Sequence, residues 1–280
     1  ARAFQDKPPA ADAVETPTAG AIGLFVPYCG NKVLDIRQCL LQAPIGDNIR
    51  NWLGEYAAIH QLPYYHSTRH DGWLRTLLIR TTSQGQVLVM FIVAYEAPDP
   101  DRTEALHDLL VAFRESFPTV NSVWTLVNPK LNDSYADLVP VHASGATEII
   151  EDLDGLRFAV GPQTFFQVNS RQTLVLYRRI IEMAQLSGTE TVYDLYCGVG
   201  SISAFLARQA ARVIGIEYVE SSIIAARDNF QRNGLANGTF LAGDMKDLLV
   251  PSLFQEHGFP DLVVSDPPRA GMHPKACQIL

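Results

Sequence analysis

The chain has 280 residues, enough for one large domain or two small ones, and its 47% hydrophobic and 19% charged content is that of a packed globule. A formal charge of −8 argues against broad electrostatic attraction to nucleic acid, leaving room only for a local basic face. There is no apolar run of about 18 residues and no secretory pattern at the N-terminus, and Cys29, Cys39, Cys197 and Cys277 form neither a C-x-x-C pair nor a disulfide framework, so a reducing cytoplasm is the expected setting.

Residues 1–20 are rich in Ala, Pro, Thr and Asp and read as a flexible tail. A mixed α/β unit is expected over residues 21–160. Ile22–Val26 is a short strand candidate, and Asn48–Ile59 a helix with Ile49, Trp52, Leu53 and Tyr56 on one face. Trp73–Thr82 and Val87–Tyr95 alternate apolar and polar residues around Ser83-Gln84-Gly85-Gln86, which predicts a β-hairpin. Thr103–Phe117 is amphipathic and stops at Pro118, and Val120–Asn128 is another strand. His60, His66, His70 and Asp71 match no zinc spacing and read as loop polar residues.

Residues 161–186 form a junction into a second domain over residues 161–280. Thr164–Asn169 is extended, and Asn169 or Ser170 caps a helix running to Leu186, closed by Ser187-Gly188. Thr191–Tyr193 then reads as a buried strand, followed by Asp194, a tight turn with Gly198 and Gly200, and a helix over Ser201–Gln209. Arg212–Glu217 (strand), Glu220–Asn233 (helix), Thr239–Leu241 (strand) and Asp261–Ser265 (strand) continue the alternation, with a helix from Pro274. Strands alternating with helices predict a parallel sheet with right-handed crossovers, an α/β fold of Rossmann-like type.

Four acids fall at strand ends. Asp194 precedes the glycine turn, Glu217 ends the second strand, Asp244 follows the third and Asp266 ends the fourth. Ligands of open α/β sheets bind outside the carboxyl ends of the strands, so all four are expected to face one crevice. An acid after the second strand suits a ribose, whose two hydroxyls a carboxylate accepts, and Asp244 is placed to meet an adenine amino group. A ring of acids without a P-loop disfavours a polyphosphate and favours a nucleoside bearing positive charge, as S-adenosylmethionine does. Each acid taken singly reads equally well as a helix N-cap.

The segments Phe165-Phe-Gln-Val-Asn169, Asp194-Leu-Tyr-Cys-Gly-Val-Gly200, Gly215-Ile-Glu217 and Asp266-Pro-Pro-Arg-Ala-Gly271 resemble the RNA 5-methyluridine methyltransferase family. The resemblance is strong over residues 161–280 and looser over 21–160. It implies a class I methyltransferase domain, incomplete at the C-terminal side of its sheet, behind a smaller central α/β domain. It also implies S-adenosylmethionine as cofactor, held by Gln167, Tyr196, Glu217, Asp266 and Asp244. The implied reaction is methylation of C5 of a uridine in RNA: a cysteine thiolate adds at C6, C5 takes the methyl group, and a base removes the C5 proton. The target base is then flipped or already unpaired. Leu74-Arg75…Ile79-Arg80 and Asn128-Pro-Lys130 are closer to the 23S ribosomal RNA branch than to the transfer RNA branch.

In that family the nucleophile lies on a Ser-Cys-Asn-Pro loop and the base is a Glu further on. Neither occurs in these 280 residues, so the reading is of a chain cut at both ends, monomeric and inactive in methyl transfer by itself. Cys277 lacks the following Asn-Pro and reads as a helix cysteine, and Cys197 as a packing residue of the turn. Leu34-Asp-Ile-Arg-Gln-Cys39 resembles the segment that supplies the fourth thiolate of an iron–sulfur cluster in some members, so Cys39 is the one candidate metal ligand. A lone thiol cannot hold a [4Fe-4S] cluster, which is allowed in a longer parent and not expected here. Two other classes remain open. An amino-group methyltransferase acting on adenine, guanine or glutamine would place an aromatic where Arg269 stands. A non-catalytic RNA-binding module would keep the cofactor fold alone.

Overall fold

The computed structural model describes residues 20–27, 32–96 and 98–279. Residues 1–19 of the expected tail and Cys29 lie outside the described residues.

β1 (Gly23–Phe25) and β2 (Val33–Asp35) pair as a short antiparallel ribbon. Helix α1 (Pro44–Ile59) starts ahead of the expected Asn48, because Pro44 at its first position presets a helical φ and has no N–H to leave unpaired. β3 (Leu74–Thr81) and β4 (Val87–Val93) form the expected antiparallel hairpin. α2 (Pro100–Ser116), capped by the Asp99 carboxylate, crosses over to β5 (Ser122–Val127), which lies parallel to β4. β6 (Val141–Gly145), not foreseen, closes the sheet order β3-β4-β5-β6. Every residue of β4 is buried, which explains its unbroken apolar run. One face packs Val89 and Phe91 against Ile49, Leu53 and Phe113 of the helices. The other packs Met90 and Ile92 with Leu78, Trp124, Tyr135 and Leu138.

A second unforeseen hairpin follows: β7 (Ile149–Leu153) and β8 (Leu156–Val160), joined by Asp154 and Gly155, both at positive φ (58° and 80°). This is the two-residue turn chemistry that Asp-Gly encodes. α3 (Ser170–Ala184) starts at the expected Asn169 cap, whose side chain accepts from the Gln172 N–H. It stops earlier than expected, because Gln185 turns left-handed (φ 47°).

Next come β9 (Thr191–Leu195), α4 (Ser201–Ala207), β10 (Arg212–Glu217), α5 (Glu220–Arg232), β11 (Gly238–Ala242), α6 (Met245–Leu248), α7 (Pro251–His257), β12 (Leu262–Ser265) and α8 (Pro274–Ile279). β9 runs through Asp194 to Leu195, past the expected end, and α4 stops short of Gln209. The four strands are parallel in the order β11-β10-β9-β12, and among the described residues β12 pairs with β9 alone. Val192 and Val213 pack toward Phe205, Phe230 and the β7–β8 hairpin, whereas Tyr193, Leu195, Ile214 and Ile216 pack toward Met245, Leu253 and Phe254.

Side-chain amides join the hairpin to both neighbours. Asn229 and Asn233, one turn apart at the end of α5, accept the Ala159 and Arg157 N–H groups at 3.0 and 2.8 Å. On the other side Gln84 and Gln86 of the β3–β4 turn accept from Asp152 and Ile150. The outward N–H groups of both ribbon edges are thereby satisfied without a further strand.

Candidate functional site

The site assembles where β9 and β10 end. The turn after β9 holds three residues in left-handed backbone: Tyr196 (φ 63°), Gly198 (φ 54°) and Gly200 (φ 74°). Such a conformation is strained for a bulky residue like Tyr196, a pattern that concentrates at functional sites. The Cys197 N–H donates to the Ile216 carbonyl at 3.1 Å, strapping the turn to β10. Nothing lies within 4 Å of where a Gly198 Cβ would stand, so the turn opens onto free space. Gly215, opposite Asp194 in the ladder, is glycine for a different reason. A Cβ there would stand 2.5 Å from the Phe240 ring and 2.9 Å from Cys197 Sγ.

Glu217 ends β10 half-buried. Its Oε2 accepts the Gly198 N–H at 3.2 Å and its Oε1 accepts the Val219 N–H at 2.9 Å, so the carboxylate is aimed across the mouth of the turn. The half-buried Tyr196 phenol meets the His273 backbone, and burial followed by the Asp244 charge pushes its pKa up. Asp266 is exposed just beyond β12, its N–H reaching Leu195 O at 3.4 Å. Gln167 sits half-buried in the loop before α3.

One acid departs from expectation, and a second has the cap role that each of them also allowed. Asp194 does not face the crevice. It follows Val192 by two residues, so it shares that residue's buried face, 1% exposed, and accepts from Ser203 Oγ at 2.5 Å on α4. Its Oδ1 has no partner among the described residues. Burial, with Asp266 and Glu217 nearby, raises its pKa to about 7 against the pull of Ser203. Asp244 is the N-cap of α6: it accepts the Lys246 N–H at 3.1 Å and pairs with Lys246 Nζ at 2.7 Å. Those bonds hold its carboxyl below the usual range.

Helical spacing marks Tyr177 only as an apolar-face residue of α3. Its hydroxyl meets Ser201 Oγ at 2.7 Å at the start of α4, and burial pushes its pKa up to about 12. Burial, then the Asp194 and Glu217 charges, push the Cys197 thiol up, which suits the packing role expected of it. Cys277 is exposed on α8. Cys39 is half-buried, with its N–H on Asp47 at 3.0 Å. Among the described residues no group of three or more His, Cys, Asp or Glu is placed to hold a metal, so the donor set does not fit a cluster and no chemistry is routed through one. His66 and Asp71 bridge to each other as turn formers, with His66 Nδ1 accepting the Thr68 and Arg69 N–H groups. No described helix is long and apolar enough to cross a membrane.

Chemically the crevice offers left-handed glycines, a carboxylate acceptor at a strand end, and further acids around it. Such a cradle suits a cationic nucleoside rather than a polyphosphate. Comparison with known proteins agrees. Residues 186–278 match the methyltransferase domain family. The chain is 44% identical over 254 residues to an uncharacterized RNA methyltransferase of Porphyromonas gingivalis, covering 90% of this chain and 54% of that protein. It is 42% identical to one of Bacteroides thetaiotaomicron, covering 93% and 57%. The chain thus spans about half the length of the curated relatives it matches. Among solved structures, the Pyrococcus abyssi tRNA (uracil-54, C5)-methyltransferase in complex with S-adenosyl-L-homocysteine superposes with a TM-score of 0.71 at 26% identity, over 89% of this chain and 57% of that one. Over about nine tenths of its length the chain is thus similar to RNA methyltransferases, and its Rossmann-like part has the class I, S-adenosylmethionine-dependent methyltransferase fold.

Proposed function

We propose that this chain carries the cofactor half of an enzyme that methylates C5 of a uridine in RNA. The observation that carries the reading is the Glu217 carboxylate, set by the Gly198 and Val219 N–H groups across an open glycine turn. In this reading Glu217 accepts the two ribose hydroxyls, Tyr196 flanks the nucleoside, and Gln167 and Asp266 close the crevice from the loop before α3 and from the end of β12. Asp244 meets the adenine amino group only by sharing the carboxylate that Lys246 now engages. The bound cofactor supplies an electrophilic methyl group on a sulfonium. The acids around it offset that positive charge, and buried Asp194 and the Tyr177–Ser201 bond hold the turn in shape.

The uridine assignment rests on the quoted motifs and on likeness to the Pyrococcus abyssi enzyme, whose own substrate is uracil-54 of tRNA. A ribosomal target remains our preference from the Arg75, Arg80 and Lys130 segments. These 280 residues hold no Ser-Cys-Asn-Pro segment, so this reading assigns no attacking thiolate and no base among them. An amino-group methyltransferase is disfavoured by Arg269 at the position where an aromatic would stack.

Calorimetric titration with S-adenosylhomocysteine tests the site. The wild type should bind, and Glu217→Ala should bind roughly 10-fold or more weakly, the loss of a charge-assisted hydrogen bond. No heat from a folded wild-type chain would overturn the cofactor reading.

A further inference from the structure

Three arginines of the central domain are wholly or partly withdrawn from water, and they are not treated alike. Arg50, 9% exposed, donates to Ile36 O and to the Asp47 carboxylate, each at 2.6 Å. The Arg75 side chain, 2% exposed, donates to the carbonyls of Asn128, Lys130 and Asn132 and to Asp133, and stacks on Tyr65 at 4.2 Å, leaving only its Nε unpartnered. Arg80 has none of this. Its Nε is buried without an acceptor, and among the described residues it makes no ion pair and no hydrogen bond. Burial pulls its pKa down and the one neighbouring group opposing that is the Tyr135 phenol. A guanidinium still carries its charge under these conditions. Drawing a charge partly out of water with no counter-ion costs stability, and here only Nε is shut in, so the half-buried guanidinium is left open to an anion from outside the fold.

Its position says what that something is. Arg80 follows Leu78 by two residues on β3, so both leave the same face of the sheet. Leu78 packs with Met90 and Trp124 and also against the core of the methyltransferase domain. Tyr135, beside Arg80, is tied through its carbonyl to Gln163 Nε2 at 2.8 Å. Gln163 opens the loop that carries the exposed Phe165 and the cofactor candidate Gln167. Arg80 therefore stands in the seam between the central sheet and the loop of the candidate site.

We infer that Arg80 is an anion subsite for a backbone phosphate of the single-stranded RNA segment that enters this seam, an inference that rests on the RNA reading above. A phosphodiester fits because it is an anion whose oxygens accept the parallel N–H groups of a guanidinium. It also fits a chain of net charge −8, where binding RNA depends on a few placed cations rather than on a general field.

The test is fluorescence anisotropy of a labelled, uridine-containing single-stranded RNA, titrated over a salt series with wild type, Arg80→Met and Arg80→Lys. Methionine keeps the apolar stem and removes the charge. Arg80→Met should bind roughly 10-fold more weakly, with a log–log salt slope shallower by about 0.7, the signature of one fewer neutralised phosphate on a single strand. Arg80→Lys should keep the slope and lose part of the affinity. Thermal melting of Arg80→Met should match or exceed wild type, because no internal partner is removed. An unchanged RNA affinity and slope, or no RNA binding by a wild type that takes S-adenosylhomocysteine, overturns the subsite alone. A melting temperature lower by about 4 °C or more would assign Arg80 to the fold instead and also overturn it. Failure to take S-adenosylhomocysteine is the separate failure of the cofactor reading.

Discussion

Replacing Asp194 with asparagine should remove a defined pH dependence from the stability of the chain. The carboxyl is 1% exposed, and burial raises its pKa from 3.8 to about 7, with Asp266 and Glu217 adding to the rise and Ser203 opposing it. Because the folded value lies above the unfolded one, the native state keeps a proton that the unfolded chain has already released. Stability from this group is whole below about pH 4, falls as pH rises, and levels off above about pH 7. At about 1.4 kcal/mol per pH unit the fall comes to roughly 4 kcal/mol. Asparagine still accepts from Ser203 Oγ but does not titrate. Its amide nitrogen inherits the place of the unpartnered Oδ1, which costs about 1–3 kcal/mol at every pH. Urea unfolding of both proteins from about pH 4 to pH 8 yields the difference between them. Asp47, Asp137 and Asp244, whose carboxyls neighbouring side chains hold low, cancel in that difference. The variant should gain on the wild type by roughly 4 kcal/mol across the window and by nothing further above it. A difference that stays flat through the window would refute the account of Asp194 as a neutral buried acid.

Gly215→Ala forces a methyl group into the Phe240 ring and Cys197 Sγ and should cost roughly 1–3 kcal/mol, read as a lower urea midpoint at unchanged slope; no loss would mean that β10 and the turn are less closely packed than the structure has them. Asn229→Ala strips a partner from the Ala159 N–H and from the Val199 carbonyl, both held at 3.0 Å, and should cost about 2–4 kcal/mol, with faster hydrogen exchange confined at first to β8. A cost below about 1 kcal/mol would show that water replaces the amide freely at that edge.

Much of the fold could be read from local pattern. β10 matches the expected Arg212–Glu217 at both ends, and the Asn169 cap and the hairpin around Gly85 stand where their residues put them. Strand runs, caps and glycine turns are encoded by neighbours a few residues apart, so a linear reading reaches them. The β7–β8 hairpin carries the same kind of signal in Asp154-Gly155, masked between two stronger features. β6 carries almost none, since four of its five residues are exposed and the fifth is Ser144, and it is a strand only because β5 offers it an edge.

Local sequence is enough to set the alternation of strands and helices, the glycine turn with Glu217 one strand further on, and the motifs that mark the family. The direction each polar side chain takes is settled only when the chain packs. Asp194 lies on a strand buried on both faces, and the alternation of that strand sends its carboxylate to Ser203. Asp244 is divided between its crevice and Lys246, and Arg80 is left unpaired among the described residues while Arg75, five residues earlier, binds through both of its terminal nitrogens. Whether a charged group is satisfied depends on partners that fold up against it from remote parts of the chain: Arg75 finds its carbonyls more than fifty residues away, and Arg80 finds none among the described residues. Spacing along the chain has no access to that difference.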